Sequence, residues 1–300
     1  MKECYTGQAT PVSIVIPVYN AESYLEECIA SLLAQNYPTE KREILFIDNN
    51  SSDRSSAILQ KHASKVRIIQ EPTQGAAAAR NRGIKQAKHE LIAFIDADCT
   101  ADKDWLRYLV KALTKDSEIA AVGGKILSRR PANPIEKFGE TIHDHDKAIN
   151  TFKPPYLMTS NMAIRRAVLD EAGLFNEEYR RGQDSELSYR LYNMACKFRY
   201  VPEALVYHAN KKHLLGLFLE GFTHGVWKVK LEKEYRDTVL KDRKRSCHAD
   251  YVQIIKAFSE FVSRTIASRK IAVTPLCECI FRSGKKMGHL VGSVRFKSIH

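Results

Sequence analysis

Two aspartates two positions apart follow an apolar run in the first third of the chain. Leu91–Ile95 reads Leu-Ile-Ala-Phe-Ile, and Asp96 and Asp98 come directly after it. A continuous apolar run is typical of a strand buried in a parallel sheet, and alternation along an extended chain would point both carboxylates to one side. Two carboxylates held that close repel each other unless a cation lies between them. The pattern indicates either a divalent-metal site beside a phosphate or a strand that ends in a polar loop.

The segments before this run predict the elements that would position the aspartates. Val12–Val18, Glu43–Asp48 and Val66–Gln70 read as buried strands, and helical or alanine-rich segments separate them. Strands that alternate with helices form right-handed βαβ units. We therefore expect an α/β fold with a mostly parallel, Rossmann-like sheet, in which Asn20 caps the first helix.

Polar or turn-forming residues follow three of these strands, at the sheet edge where ligands of open α/β folds bind. They are Pro17, Tyr19 and Asn20 at the end of the first strand, Asp48, Asn49 and Asn50 at the end of the second, and Asp96, Ala97 and Asp98 after the fourth. The chain has neither a Gly-x-x-x-x-Gly-Lys-Ser/Thr loop nor a strand-linked Gly-x-Gly-x-x-Gly. A nucleotide in this crevice would be held by side chains and a metal.

Later segments alternate less regularly. Ile119–Leu127 and Met158–Arg165 read as strands, Glu186–Ala195 as a helix, and Phe198–Tyr207 as an extended segment that Pro202 interrupts. From Lys211 onward amphipathic helices dominate. We expect one domain at residues 1–210 and a basic helical region at residues 211–300.

Charge is concentrated in that last region. Residues 206–300 hold 19 Lys and Arg against 8 Asp and Glu, a net of +11 out of +12 for the chain. Such a tail suits an anionic partner, either lipid or nucleic acid. Its basic residues are interleaved with apolar stripes and match no nucleic-acid recognition motif, so we expect no nucleic-acid partner. The stripes predict helices that pack on the main domain, lie on an anionic membrane surface, or both.

Cysteine usage and hydropathy suggest the compartment. The seven cysteines are odd in number, scattered and without a Cys-x-x-Cys pair, which argues for reduced thiols and against a disulfide framework or a zinc site. The first residues lack the apolar core of a secretory signal, and no run approaches the ~18 apolar residues of a membrane span. We expect a cytoplasmic protein, peripheral at the inner face of the membrane where the basic helices bind lipid.

Six motifs in order resemble family 2 glycosyltransferases, which have the GT-A fold. They are Ile-Pro-Val-Tyr-Asn at 16–20, Ile-Asp-Asn-Asn-Ser-Ser-Asp at 47–53, Gly-Ala-Ala-Ala-Ala-Arg-Asn-Arg-Gly-Ile at 75–84, Phe-Ile-Asp-Ala-Asp at 94–98, Thr-Ser-Asn-Met-Ala-Ile-Arg-Arg at 159–166 and Gly-Gln-Asp-Ser-Glu-Leu at 182–187. Val-Tyr-His at 206–208 resembles the late histidine of that family. The resemblance covers roughly residues 12–225.

This resemblance implies a nucleoside diphosphate sugar donor, with a UDP-sugar expected first, and a glycan or glycolipid acceptor in polysaccharide, lipopolysaccharide or glycolipid assembly. Pro17, Tyr19 and Asn20 would wall the base and ribose, beside Asn50, while Asp48 accepts from an N–H of the base. Arg80 would oppose the phosphates or Asp96, although an ordinary helix salt bridge explains it equally well.

The leaving diphosphate implies a hard cation, Mn²⁺ or Mg²⁺. Asp98 would bind it directly, and Asp96 would serve the ribose or support the metal. His208 could supply a further ligand, which favours Mn²⁺ because imidazole is a softer donor.

The resemblance also implies an inverting mechanism in which Asp184 is the base for the acceptor hydroxyl and Asn161 lies under the donor sugar. The dipole and amide groups of a helix N-terminus would keep the Asp184 carboxylate ionised, but a simple N-cap is the alternative. Gln183 stands where the family often has a glutamate. That difference puts an acceptor contact at position 183 in doubt.

Two alternative functions fit parts of the pattern. One is that of a nucleotidyltransferase that makes sugar nucleotides, although its usual glycine-rich signature after the first strand is absent. The second is that of a basic nucleic-acid-binding protein.

The run His143–Asp146 offers four potential metal ligands, but neighbouring residues cannot all face one ion, so we expect a solvated or mobile loop there.

Overall fold

Two compact units make up the described part of the chain. The computed structural model describes residues 9–241 and 247–296, and gives only the backbone for residues 247–250. The first unit lies within residues 1–127 and 144–208, and the second within residues 128–143 and 209–300. The assignment of residues 1–210 to one domain and of residues 211–300 to a docking region stays a prediction.

Eight strands of the described residues form one mixed sheet. They are β1 (Val12–Val18), β2 (Arg42–Asp48), β3 (Arg67–Gln70), β4 (Leu91–Phe94), β5 (Cys99–Ala101), β6 (Ile119–Ser128), β7 (Met162–Arg165) and β8 (Lys197–His208). Their order across the sheet is β3-β2-β1-β4-β7-β6-β8-β5. The predicted strands are all present, with ends shifted by a few residues.

Strand direction changes partway across the sheet. β1 pairs in parallel with β2 and β4, and β2 pairs in parallel with β3. β7 is antiparallel to both β4 and β6, and β8 is antiparallel to β5. The expectation of a mostly parallel sheet therefore holds for β1 to β4, while the remaining strands make the sheet mixed. Apolar content could not reveal this change, because β7 is as buried as the parallel strands.

Helices cover both faces of the sheet in the first unit. They are α1 (Leu25–Leu33), α2 (Ser55–Lys61), α3 (Ala76–Gln86), α4 (Trp105–Lys115), α6 (His145–Asn150), α7 (Arg166–Ala172) and α8 (Gln183–Asn193), while α5 (Pro134–Ile142) belongs to the second unit. Along β1, Ile14 and Ile16 enter the cluster that includes Trp105, whereas Val15 enters the cluster with Ala79. This alternation is the two-residue period of a strand buried on both faces.

The second unit is helical, as predicted. It contains α5, α9 (Leu214–Glu234), α10 (Cys247–Ser268) and α11 (Val273–Arg295). Glycines four residues apart let α9 and α11 approach closely: a Cβ on Gly225 would overlap the carbonyl of Lys285, and one on Gly288 the carbonyl of Phe222. Within the described residues, no helix combines the length and apolar character needed to cross a membrane.

Two local predictions were wrong. Asn20 does not cap α1, which begins at Leu25 after Tyr24; Asn20 instead has a left-handed φ of 48°. Pro202 does not interrupt the late extended segment, because β8 is continuous. Pro202 is exposed, and a proline is tolerated in a strand where no ladder hydrogen bond needs its missing N–H.

Candidate functional site

The two aspartates after β4 lie in a turn and reach different partners. β4 ends at Phe94, and the N–H of Cys99 donates to the carbonyl of Asp96 at 3.1 Å. The Asp96 carboxylate pairs with Arg80 at 2.7 Å, while a carboxylate oxygen of Asp98 lies 3.6 Å from Nε2 of His208. β4 ends before Asp96, and the chain turns at Ala97 and Asp98, so strand alternation does not set the directions of the two carboxylates.

Pairing of β5 with β8 brings Asp98 to His208 from 110 positions away in the chain. The register places Cys99 opposite His208. Atoms of Asp98, Cys99 and His208 that could bind a metal lie within 4.8 Å of one another. Cys99 was not predicted to take part. Burial raises the pKa of its thiol well above the usual value, and the charges of Asp98 and Asp96 add to this.

Without the Cys99 thiol, the cluster offers a metal one carboxylate, from Asp98, and one imidazole, from His208. A protonated, fully buried thiol is a poor ligand, because the thiolate is the form that binds metals. Neighbouring ligands of an ion with bonds of about 2.1 Å are roughly 3 Å apart, and the 3.6 Å between Asp98 and His208 is close to that separation. These two side chains fit a divalent ion. Asp96 lies outside the cluster.

Arg80 is a buried cation beside the turn. α3 carries it, and only 4% of the residue is exposed. Besides its ion pair with Asp96, the guanidinium lies 5.7 Å from the ring centroid of Phe175. Its buried Nε–H has no hydrogen-bond partner among the described residues. A buried unsatisfied donor is costly, so Arg80 is poised to accept an additional anionic partner.

Hydrogen bonds hold the loop after β1 against the loop after β2. The Asn20 side-chain oxygen accepts from the N–H of Ser52 at 2.8 Å, and the N–H of Ala21 donates to the hydroxyl of Ser55 at 2.8 Å. Tyr19 is 55% exposed beside them, and Pro17 is half-buried. These contacts explain why Asn20 serves the loop and not the start of α1.

Asp48 closes β2 as a buried carboxylate. Its two oxygens accept from the N–H of Ser51 at 3.1 Å and from the side-chain amide of Gln70 at 3.3 Å. Asn50, with a left-handed φ of 62°, donates from its side chain to the carbonyl of Pro72 at 2.7 Å. Each carboxylate oxygen accepts more than one hydrogen bond, so Asp48 retains capacity for an N–H of a ligand.

Asn49 was grouped with Asp48 and Asn50 from the sequence without a role of its own, and it fixes the next loop. Its amide donates to the carbonyls of Glu71 and Thr73 at 2.8 and 2.7 Å, and its oxygen accepts from the N–H of Gly75 at 2.7 Å. Gly75 precedes α3 with a φ of 147°. Asn49 therefore fixes the residue that precedes α3, five positions before Arg80.

Asn161 does not face an open crevice, contrary to the predicted donor contact. It is fully buried, and its oxygen accepts from the indole N–H of Trp105 at 2.8 Å. Its amide donates to the carbonyls of Lys125 and Ala204 at 2.9 Å each. Both amide protons are used inside the unit. The geometry gives Asn161 a structural role that joins α4, β6 and β8.

Asp184 lies in the first turn of α8, after Gly182 in a left-handed conformation. Burial raises the pKa of its carboxyl, the positive charge of Arg80 opposes that shift, and the charge of Asp96 adds to it. Burial outweighs the backbone N–H donor of Ser185 in its effect on this pKa, and the expectation that the helix terminus keeps the carboxylate ionised stays a prediction. A raised pKa makes the carboxylate a better proton acceptor.

Tyr156 is a second neighbour of Asp184 that the sequence did not indicate. Burial raises the pKa of its phenol, and the charge of Asp184 is the next cause. The N–H of Leu157 donates to the hydroxyl of Ser188, which donates in turn to the carbonyl of Asp184. These bonds tie the Tyr156 segment to the first turns of α8.

His145 is buried, so the prediction of a solvated or mobile loop is wrong at that position. Its ring nitrogens contact the carbonyl of Gly124 and the N–H of Met158, both at 3.0 Å. Burial lowers its pKa to about 4. Asp144 caps α6 by accepting from the N–H of Lys147. His143 follows the last residue of α5, and α6 begins at His145.

The first unit thus brings together two groups of predicted residues. Asp98 meets His208, and Arg80, Asp96 and Asp184 are close enough for their charges to act on one another. Ala97 lies buried in the turn between the two aspartates.

Comparison with known proteins agrees with this fold. The family model for glycosyl transferase family 2 matches residues 13–173, more than half of the 300-residue chain. Glycosyltransferase AglE of Haloferax volcanii is 27% identical over 203 residues, which are 66% of this chain and 66% of AglE. The chain spans less than two thirds of the length of AglE and of relatives such as a probable glycosyltransferase of Bacillus subtilis.

Solved structures show the same fold at low identity. The mannosyltransferase PcManGT from Pyrobaculum calidifontis, in complex with GDP-Man and Mn²⁺, superposes with a TM-score of 0.64 at 20% identity over 98% of this chain and 90% of its own. S. aureus TarS 1–349 in complex with UDP-GlcNAc superposes with a TM-score of 0.56 at 14% identity over 97% and 93%. The chain has the GT-A fold and belongs to glycosyltransferase family 2.

Proposed function

We propose that the chain is an inverting glycosyltransferase that moves a sugar from a nucleoside diphosphate sugar to an acceptor hydroxyl. The observation that carries the proposal is the electrostatic neighbourhood of Asp184. A carboxyl with a raised pKa lies within reach of the charges of Arg80 and Asp96, at the carboxyl-end side of β4 where ligands of such sheets bind. A proton acceptor beside an anion-binding cation is what sugar transfer from a diphosphate requires.

The donor would bind across the loops after β1, β2 and β4. Asp48 would accept from an N–H of the base, Tyr19 and Pro17 would wall it, and Asn20 and Asn50 would shape the loops around the ribose. The unsatisfied Nε–H of Arg80 supports a contact with a phosphate oxygen. A UDP-sugar is our first choice and a GDP-sugar the alternative, since neighbouring structures are named as complexes with UDP-GlcNAc and with GDP-Man.

Asp98 and His208 would hold a divalent ion, and the mixed oxygen and nitrogen donor set favours Mn²⁺ over Mg²⁺. Such an ion supplies neutralisation of the charge that develops on the leaving diphosphate. Asp96 would remain paired with Arg80 and keep that guanidinium oriented. Asn161 would hold α4, β6 and β8 together through its bonds to Trp105, Lys125 and Ala204.

In the proposed transfer step, Asp184 accepts the proton of the acceptor hydroxyl. The acceptor oxygen attacks the anomeric carbon while the bond from that carbon to the diphosphate oxygen breaks on the opposite side. The acceptor proton goes to the Asp184 carboxylate, and the nucleoside diphosphate leaves. One in-line displacement inverts the anomeric centre and needs no covalent intermediate. The acceptor as a glycan or glycolipid, and a cytoplasmic location, stay predictions.

Donor binding tests the first half of this proposal. We would measure thermal stabilisation of the full chain by UDP-sugars and GDP-sugars, with Mn²⁺ or Mg²⁺. A ligand at about 100 times its Kd adds about 2.7 kcal/mol to the free energy of unfolding. Asp98→Ala should lose metal-dependent stabilisation, and Asp184→Asn should keep it. Asp170→Asn, an exposed carboxylate on α7, is the matched control and should behave as wild type.

Turnover tests the second half. Asp184→Asn should abolish transfer with donor binding intact, and the anomeric proton of the product should show the configuration opposite to that of the donor. Retained turnover in Asp184→Asn would remove the base assignment, and a product of unchanged configuration would remove the inverting mechanism. Formation of a sugar nucleotide from a sugar phosphate would favour a nucleotidyltransferase.

A further inference from the structure

Helix α10 presents an apolar stripe to solvent. The stripe consists of Tyr251, Val252, Ile255, Phe258, Val262 and Ile266, which are between 37% and 72% exposed. Residues three and four apart lie on one face of a helix, so these six form a continuous strip along four turns. Isolated exposed apolar residues are ordinary, but a contiguous patch marks an interaction surface.

Packing within the second unit accounts only for the first residue of the stripe, since Nζ of Lys286 on α11 lies 4.5 Å from the ring centroid of Tyr251. α10 contacts α11, and beside the stripe Ala257 is buried and Ile254 and Phe261 are half-buried. The polar positions, including Gln253, Lys256, Glu260, Ser263 and Arg264, lie on the remaining side. The apolar arc is therefore wider than one helix contact requires.

Further apolar residues of the same unit are exposed. On α11, Met287, Leu290 and Val291 are 46% to 54% exposed. The loop between α10 and α11 exposes Ile271 at 66%, next to Arg269 and Lys270. Apolar side chains flanked by cations thus recur on this unit.

The positive charge of residues 206–300 indicates an anionic partner. Residues 206–300 carry a net charge of +11. Lys256 lies one helical turn after Val252, at the border of the stripe, and is exposed together with Arg269 and Lys270. Residues 241–245, which end two positions before α10 begins, read Lys-Asp-Arg-Lys-Arg, and 242–245 lie outside the described residues. A second copy of such a surface would be repelled, whereas an anionic surface would be attracted.

We propose that the apolar stripe of α10 docks the protein onto a bilayer that contains anionic lipids. The helix would lie in the plane of the headgroups, with the stripe at the acyl boundary and the cations at the lipid phosphates. This proposal goes beyond sugar transfer and does not depend on the identity of the donor.

Vesicle sedimentation of the full chain tests the proposal. Wild type should sediment with vesicles of phosphatidylglycerol and phosphatidylcholine at about 0.1 M salt and be released at about 1 M, where the Debye length falls to about 3 Å. Ile255→Ser with Phe258→Ser should weaken binding about tenfold or more, since two large side chains no longer enter the lipid. Arg269→Gln with Lys270→Gln should weaken binding to anionic vesicles and make the remaining binding less sensitive to salt, because fewer cations contact the lipid.

Two controls separate this role from folding. Gln253→Ala with Ser263→Ala changes the polar side of the same helix, and Tyr192→Ser removes an exposed aromatic ring from the first unit; both should bind vesicles as wild type does. All variants should keep the wild-type thermal transition and donor stabilisation. Wild type that ignores anionic vesicles at low salt, or binding equal in the stripe variant, would overturn the proposal. A dimer that the stripe variant abolishes, without vesicle binding, would identify a second copy as the occupant.

Discussion

Replacing Asn161 with alanine separates a structural role from a donor-binding one. The side chain makes three internal hydrogen bonds, to Trp105, Lys125 and Ala204. Its loss leaves a buried indole N–H without its acceptor, which costs about 1–3 kcal/mol, and removes two bonds worth about 1 kcal/mol each. We expect the free energy of unfolding to fall by about 3–5 kcal/mol, a large share of the ~5–15 kcal/mol of a typical domain.

Urea unfolding followed by far-UV circular dichroism measures this change. Asn161→Asp should be at least as destabilising, because a carboxylate cannot donate to the two carbonyls and its charge is buried. Asn193→Ala, at the exposed end of α8, should stay within about 0.5 kcal/mol of wild type. An Asn161→Ala protein that keeps wild-type stability and loses stabilisation by donor would refute this reasoning and restore the donor contact.

The remaining predictions concern charge and close packing. The pKa of Asp184 is raised in the folded protein, so the contribution of Asp184 to the free energy of unfolding falls as pH rises above the usual aspartate range. Asp184→Asn should therefore have a higher melting temperature than wild type at neutral pH. Burial lowers the pKa of His145 in the folded protein from 6.5 to about 4. The free energy of unfolding should therefore fall by about 3 kcal/mol as the pH drops from 6.5 to 4. In urea titrations at several pH values, His145→Gln should show a weaker pH dependence. Gly288→Val should destabilise the second unit in thermal melts, since its Cβ would overlap the Phe222 carbonyl, whereas Gly216→Ala meets only ordinary side-chain contacts.

The parallel half of the sheet followed from apolar runs and intervening helices, because burial on both faces leaves a clear pattern. Strand direction beyond β4 did not follow, since hydrophobicity is the same for either direction. The meeting of Asp98 and His208 depends on the register of β5 against β8, and a three-residue strand carries too little pattern to predict its partner. The family resemblance supplied that pairing where periodicity could not.

The predictions for three polar residues missed their internal hydrogen bonds. Asn20, Asn161 and His145 each have side-chain groups occupied by backbone or indole partners. Asparagine and histidine both donate and accept, so they suit binding sites and internal joints equally. Only the count of satisfied donors and acceptors separates the two uses, and that count requires coordinates.

The number of satisfied donors and acceptors also indicates which residues of the proposed site have capacity for a ligand. Arg80 has a buried Nε–H without a partner among the described residues, although its terminal nitrogen is paired with Asp96. Asp184 has a carboxyl whose pKa burial has raised above its ordinary value. Both carry a cost in the protein without ligands, and an incoming phosphate and a proton-donating hydroxyl would relieve them. Asn161 carries no such cost, which is why its removal should lower the free energy of unfolding, whereas the removal of the Asp184 carboxylate should raise it.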